Sequence, residues 1–304
     1  MEILRVLGNL SISTIVCCIA CFWPMSFLIA QTDVIINEVL FNPVKGGVDF
    51  VEIYNRSGHP VNLQHWKLGK YPISSGILLL DAGQYLALTT DPNALYKQYK
   101  KGEDQYIHAM NRLPAYPNEQ GAVTLFSPEG RMDSLYYYAG MHQPFLKNTK
   151  GISLERLSAD EPTNSPNNFL SASTWSGGAT PGYKNSVQKD RFLKKNNFFL
   201  TSKTVSPNQD GFEDFLEINY EFSQPDYQMS VSIFAENGRL VNRLIRHQSA
   251  GSSGKVSWDC RGENGALAPM GIYIFLAEIY NERGDRELYK GAFAIVRLRS
   301  SIDK

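Results

Sequence analysis

The residues best placed by type and spacing to do chemistry lie in one acidic stretch, Ser206-Pro207-Asn208-Gln209-Asp210-Gly211-Phe212-Glu213-Asp214. Counted from Ser206, oxygen-bearing side chains fall at the third position (Asn208), fifth (Asp210), ninth (Asp214) and twelfth (Glu217), with Gly211 at the sixth. That is the ligand spacing of a calcium loop, whose glycine permits the sharp turn. Hard Ca2+ favours oxygen ligands of this kind. Against this, the first position is Ser rather than Asp, and Glu217 falls on a strand pattern rather than on a following helix. The second reading is an Asx-rich turn whose side chains bond their own backbone and cap the next strand. Both readings stand: a Ca2+ site of Asn208, Asp210, Asp214 and Glu217, or a turn.

Other constellations are weaker. Glu38 and Glu52 form a candidate carboxylate pair, and paired acids can do general acid-base work when their environments separate their pKa values. Both sit within strand patterns, so the expected role is structural, bonding turn backbone amides. His59, His65, His108, His142 and His247 show neither HxH nor HExxH spacing, and no zinc site is signalled. There is no GxSxG and no P-loop. Cys17, Cys18 and Cys21 lie in an apolar N-terminal run, which leaves Cys260 alone. One leftover cysteine forms no intramolecular disulfide, so it reads as a small buried hydrophobe or a free thiol. No catalytic residues are assigned, and the expectation is a protein that is not an enzyme.

A chain of 304 residues suits two domains, each able to bury a core. Lysine plus arginine equals aspartate plus glutamate at 30 each, and residues 1–30 hold one charge of each sign, Glu2 and Arg5. A neutral chain offers no general electrostatic case for nucleic acid or an anionic membrane, although a local basic patch stays open. Arg5 followed by an apolar run from Ile12 to Ala30, broken by Pro24, has the parts of a secretory signal. Cleavage is expected after Ala30, leaving no membrane span in the mature chain. The alternative is an uncleaved anchor, since the run approaches the ~20 residues that span a bilayer. A lipoprotein reading at Cys21 is weakened by Phe22 and Trp23 behind it.

The elements that must position these residues are short strands separated by Gly, Pro and Asn. Val34 to Leu40, Phe50 to Tyr54, Val61 to Leu63, Ile77 to Leu80, Tyr85 to Thr89, Ala122 to Phe126 and Ser134 to Tyr138 read as strands. Asp91 before Pro92 predicts a short helix to Tyr99. Residues 158–178 read as a long loop, and the charged stretch from Ser186 to Asn197 as a solvated linker. After Asp214 the alternation is clean: Leu216, Ile218, Tyr220 and Phe222 on one face, Glu217, Asn219 and Glu221 on the other. Asn237-Gly238 predicts a hairpin with positive φ at both central residues. About seven strands in about 100 residues suit an immunoglobulin-like sandwich.

Val34-Ile35-Ile36-Asn37-Glu38, Asp49-Phe50-Val51-Glu52-Ile53-Tyr54-Asn55 and Val61-Asn62-Leu63-Gln64-His65-Trp66 open the first half; Gly151 to Arg156, Trp175 and Thr180-Pro181-Gly182-Tyr183-Lys184-Asn185 close it. This half resembles a lamin tail domain. The resemblance implies an immunoglobulin-like sandwich of exported and surface proteins and carries over no enzymatic residue. Ser206 to Gly211, Ile233 to Gly238, Trp258-Asp259, Asn264-Gly265, Pro269 to Tyr273 and Lys290 to Arg297 resemble the C-terminal domains of gliding-motility-associated and type IX-secreted proteins of the Bacteroidota, and the related flagellar-hook-type module. That resemblance implies passage across the outer membrane. Cys260 stands where this pattern usually has glycine.

The expectation is therefore all-β, two immunoglobulin-like sandwiches in tandem after a signal peptide. The boundaries are a signal at 1–30, a first sandwich at 31–187, a linker at 188–197, a second sandwich at 198–299 and a tail at 300–304. The expected partners are the type IX secretion machinery and an extracellular polymer or surface protein. The expected location is the outer surface or the medium, with a membrane-tethered periplasmic protein as the alternative. A hydrolytic role on nucleic acid or polysaccharide is the competing function.

Overall fold

A computed structural model describes residues 32–99, 105–188, 195–225 and 227–296. The expected signal peptide, the tail at 300–304 and linker positions 189–194 lie outside the described residues. The chain is all-β, as two immunoglobulin-like sandwiches.

The first sandwich is built from β1 (Val34–Leu40), β2 (Phe50–Asn55), β3 (Val61–Asn62), β4 (Lys67–Leu68), β5 (Tyr71–Pro72), β6 (Leu79–Leu80), β7 (Tyr85–Thr89), helix α1 (Pro92–Gln98), β8 (Ile107–Ala109), β9 (Gln120–Ser127), β10 (Gly130–Tyr138), β11 (Leu154–Arg156) and β12 (Phe169–Ser171). One sheet runs β12-β11-β1-β2-β7-β8 and the facing sheet β10-β9-β4-β5, with β3-β6 as a small ribbon. Every residue of β1 is buried, although it alternates. The reason is cover on both sides. Val39 and Val51 enter the core between the sheets, while Leu40 and Phe50 pack outward against Leu95 and Tyr99 of the helical segment and Ala179. A bulge between Ile36 and Glu38 keeps Ile36 and Val39 on the same inner side. The expected helix forms, and Asp91 caps it by accepting from the Ala94 amide at 3.1 Å.

The second sandwich contains β13 (Asn197–Leu200), β14 (Thr204–Val205), β15 (Leu216–Glu221), β16 (Gln228–Ala235), β17 (Leu240–Ser249), β18 (Ser253–Trp258), β19 (Gly271–Tyr280) and β20 (Arg286–Ile295). Three strands in the order β13-β15-β18 face five in the order β14-β20-β19-β16-β17. The alternation along β15 is as expected, with Leu216, Ile218 and Tyr220 buried and their neighbours half-buried. They meet Tyr273, Phe275, Ala277 and Ile279 of β19 in one core. The Asn237-Gly238 hairpin departs from expectation. Only Gly238 has positive φ, at 80°, and its amide donates to the Ala235 carbonyl at 2.9 Å. One extra residue in the turn lets Gly238 alone absorb the left-handed step, so Asn237 has no need to.

Cys260 also takes a left-handed φ, 60°, with its side chain fully buried. Burial, with Asp259 beside it, pushes the thiol up to about 12, so it is inert rather than reactive. Cys260→Gly should relieve about 1 kcal/mol of backbone strain and lose a similar amount of burial. Cys260→Val, β-branched at a positive φ, should cost several kcal/mol, roughly 3 or more. Urea unfolding of the two variants checks this ordering.

Candidate functional site

The acidic loop folds onto itself. Asp214 accepts from the Gln209 amide at 2.5 Å and the Gly211 amide at 2.8 Å. Asp210 accepts from the Phe212 amide at 2.9 Å and from Asn208 Nδ2 at 2.8 Å. The Ser206 amide donates to the Glu213 carbonyl at 2.7 Å. These bonds hold Gln209, Gly211 and Glu213 at positive φ. Glu217 does not join them. It stands on β15 and faces β18, where it ion-pairs with Lys255 and accepts from Thr201 Oγ1. Asn208, Asp210 and Asp214 are thus brought together and Glu217 is not. Among the described residues no group of three or more His, Cys, Asp or Glu is placed to hold a metal ion.

The densest polar cluster is elsewhere. Antiparallel pairing sets Glu38 of β1 directly opposite Glu52 of β2 on one side and Glu155 of β11 on the other. All three are fully buried. Like charges directly opposed in a sheet repel, so the cluster is stable only with protons retained. Burial raises all three pKa values, that of Glu38 to about 8 with Glu155 adding to the rise. Hydrogen-bond counting agrees. The Thr180 hydroxyl has one proton but lies 2.8 Å from Glu155 and 3.2 Å from Glu38. It donates to the nearer Glu155 and accepts from a protonated Glu38.

The carboxyls bind one segment, residues 180–187. Glu38 accepts from the Thr180 amide at 2.9 Å and from Ser153 Oγ at 2.5 Å. Glu52 accepts from the Gly182 amide at 2.5 Å and Asn37 Nδ2 at 2.8 Å. Glu155 accepts from Ser186 Oγ at 2.8 Å and the Val187 amide at 3.0 Å. Asn185 Nδ2 donates to the Asn37 and Arg156 carbonyls at 3.1 and 2.8 Å. The expected bonding of Glu38 and Glu52 to backbone amides is what the geometry shows. Glu155 was not read as a third member, because its register with β1 spans more than a hundred residues and leaves no local signal.

The strap ends at the second sandwich. The Ser186 carbonyl accepts from the Ser252 amide at 2.8 Å, and Ser252 Oγ donates to the Val187 carbonyl at 2.9 Å. Beside it, Ser173 Oγ donates to the Ser249 carbonyl at 2.7 Å, and the Thr174 amide to Ser249 Oγ at 2.8 Å. Trp175 packs against the second core. Val187 is fully buried, which corrects the reading of Ser186 onward as solvated linker. Buried partners on both sides hold Ser186 and Val187 in place, and the described residues from Asp33 to Val296 form one compact unit. No helix among the described residues is long and apolar enough to cross a membrane.

Residues 29–139 match the Lamin Tail Domain family. Residues 199–295 match the CHU_C Type IX secretion signal domain family. No curated protein matches the chain. Among solved structures, FlgD from P. aeruginosa is 19% identical over 32% of this chain and 67% of its own, with a TM-score of 0.23. PorZ, a surface component of the type IX secretion system of Porphyromonas gingivalis, is 22% identical over 33% of this chain and 12% of its own, with a TM-score of 0.22. Latent PorU from Porphyromonas gingivalis is 12% identical over 88% of this chain and 21% of its own, with a TM-score of 0.27. These scores are too low to carry a functional argument. The two family matches fall on the two sandwiches in turn: the chain carries a Lamin Tail Domain followed by a CHU_C Type IX secretion signal domain, the architecture of a surface or secreted protein associated with type IX secretion.

Proposed function

We propose that this is an exported protein without enzymatic activity. The first sandwich binds or scaffolds an extracellular polymer or surface protein; the second is the address or anchor that engages the type IX machinery. The observation that carries the reading is the CHU_C match over 199–295, which coincides with a complete second sandwich. The non-enzymatic part is supported by the buried carboxyls, whose oxygens are taken up by the strap and reach no solvent. Purified chain incubated with polysaccharide and with nucleic acid, with and without Mg2+, Zn2+ or Ca2+, should show no turnover. Metal-dependent turnover above background would overturn this part and favour the hydrolytic alternative.

The acidic loop acts in this reading as a cap on β15 rather than as a cation site. Millimolar Ca2+ should leave the unfolding temperature unchanged, whereas Asp214→Ala, which strips two amides of their acceptor, should cost about 1 kcal/mol. A rise of several degrees on adding Ca2+, abolished by Asp214→Ala, would restore the calcium reading.

A further inference from the structure

A neutral chain can still hold a one-sided face, and the outer face of the four-stranded sheet is one. Register places Arg131 opposite Phe126, Phe126 opposite Lys67, and Lys67 opposite Pro72. Directly opposed residues share a face, so these four side chains form one row across β10, β9, β4 and β5. Their neighbours Leu68 and Leu125 point into the core, which turns the row outward. Strands lie about 4.8 Å apart, so Arg131 and Lys67 stand about 10 Å apart with the Phe126 ring between them.

Lys67, Pro72 and Phe126 of this row line a cleft of about 710 Å3 together with His65, Lys70, Ser74 and Ser75, and Arg131 stands at the end of the row outside that lining. Among the described residues Lys67, Lys70 and Arg131 have no ion pair. The carboxylate next in sequence to the cleft, Glu129, accepts from Ser127 Oγ at 2.6 Å. His65 is held at a φ of 66° although it is exposed and has a Cβ. Strain kept at a surface residue points to a use for it, and His65 lines this cleft.

We infer that this cleft binds an acidic polysaccharide, an inference that rests on reading the first sandwich as the binding half. Carboxylate or sulfate groups along the polymer meet Lys67, Lys70 and Arg131. A sugar ring lies on Phe126 and Pro72, whose apolar faces are in the same row. The Ser75 hydroxyl serves the sugar hydroxyls, since that of Ser74 is taken up by the Gly76 backbone. A nucleic acid fits less well: the row has one aromatic ring on which bases could stack.

The test is affinity electrophoresis of the full chain in gels containing polygalacturonate, dextran sulfate or neutral dextran, with duplex DNA at equal charge as competitor. Retardation by polygalacturonate or dextran sulfate, but not by dextran, is expected, and the stronger of the two identifies carboxylate or sulfate as the group read. The double variant Lys67→Gln/Arg131→Gln should bind about tenfold more weakly or less, with an unchanged unfolding temperature. The control Arg239→Gln/Lys290→Gln, on exposed sites of the second sandwich, should bind as the parent does. No retardation by either acidic polymer, equal loss in both double variants, or stronger competition by DNA than by the polysaccharide would overturn the inference. Because binding is read on purified protein, a failed export reading leaves it standing, and its own failure leaves export untouched.

Discussion

Raising the pH from about 5 to about 9 lowers the stability of the first sandwich by on the order of a few kcal/mol, about 2–4. Most of that loss falls before about pH 8, where Glu38 gives up its proton in the folded chain. The cause is burial first and the facing Glu155 second, which raise Glu38 from 4.5 to about 8. Between those values the native state keeps a proton that the unfolded chain has released. The Glu38 contribution is therefore fully present below 4.5, is lost as the pH climbs through about 8, and is flat above. Glu52 and Glu155 are raised too and act in the same direction. His142 opposes them on the acid side. Burial lowers it to about 4, so stability falls as the pH drops from 6.5 towards that value.

Glu38→Gln isolates the leading contribution. A glutamine reproduces the protonated acid: its oxygen accepts from Ser153 and Thr180, and its amide donates to the Thr180 hydroxyl, which still donates to Glu155. The variant should lie within about 1 kcal/mol of the parent near pH 5 and become the more stable of the two above about pH 8. Glu38→Ala leaves the Thr180 amide without an acceptor and Ser153 Oγ with only the long bond to the Gly178 carbonyl at 3.4 Å, and should cost about 3 kcal/mol or more at every pH. Urea titrations across the pH series decide it. A parent whose stability rises from pH 5 to 8, or a Glu38→Gln variant with the parent's slope, would contradict the retained proton.

Gly251→Ala is expected to uncouple the two sandwiches. A Cβ at this position would overlap the Ser186 carbonyl oxygen and press on the Ser186 side chain. That carbonyl accepts from Ser252, while the Ser186 hydroxyl is held by Glu155. The added methyl therefore pushes on the strap that joins the glutamate cluster to the second domain. Overlap with backbone has no cheap relaxation, so the cost should be about 3 kcal/mol or more. Calorimetry should show one cooperative transition in the parent and two in the variant, since each half keeps its own core. Two transitions in the parent would mean that Trp175 and the serine contacts do not couple the halves.

What was legible in the chain was what local pattern encodes. Alternation along Leu216 to Phe222 reports one buried face, and Asp91-Pro92 reports a helix start, because both are set within a few residues. Glu38 and Glu52 could be read as structural because charged residues inside apolar strands need partners. Their partners could not be named. Glu155, Thr180 and Gly182 arrive through long-range pairing and a strap that reads locally as a Pro- and Gly-containing loop. The two-residue strand β5 is too short for periodicity to show, whereas β3 and β6 fall within the strands expected at Val61 to Leu63 and Ile77 to Leu80, the second shortened because only Leu79–Leu80 finds a partner in β3. The junction was hidden for the same reason. Ser173, Thr174 and Ser186 have the composition of surface loop, yet their hydroxyls and amides meet Ser249, Ser252 and Glu155 instead of water. The Arg131-Phe126-Lys67-Pro72 row is likewise a product of register, invisible to a net charge of zero.

The most direct test of the export reading is where the protein goes when the second sandwich is absent. The full chain and a chain ending at Gln188, with Trp175→Ser to remove the indole that would otherwise lose its cover, are expressed in a type IX-competent host. Intact cells are then treated with protease, and cells and medium are probed. The full chain should be digested on the surface or recovered in the medium, with the shortened chain protected inside the outer membrane. If both forms reach the surface alike, or both stay protected, the second sandwich is not the address.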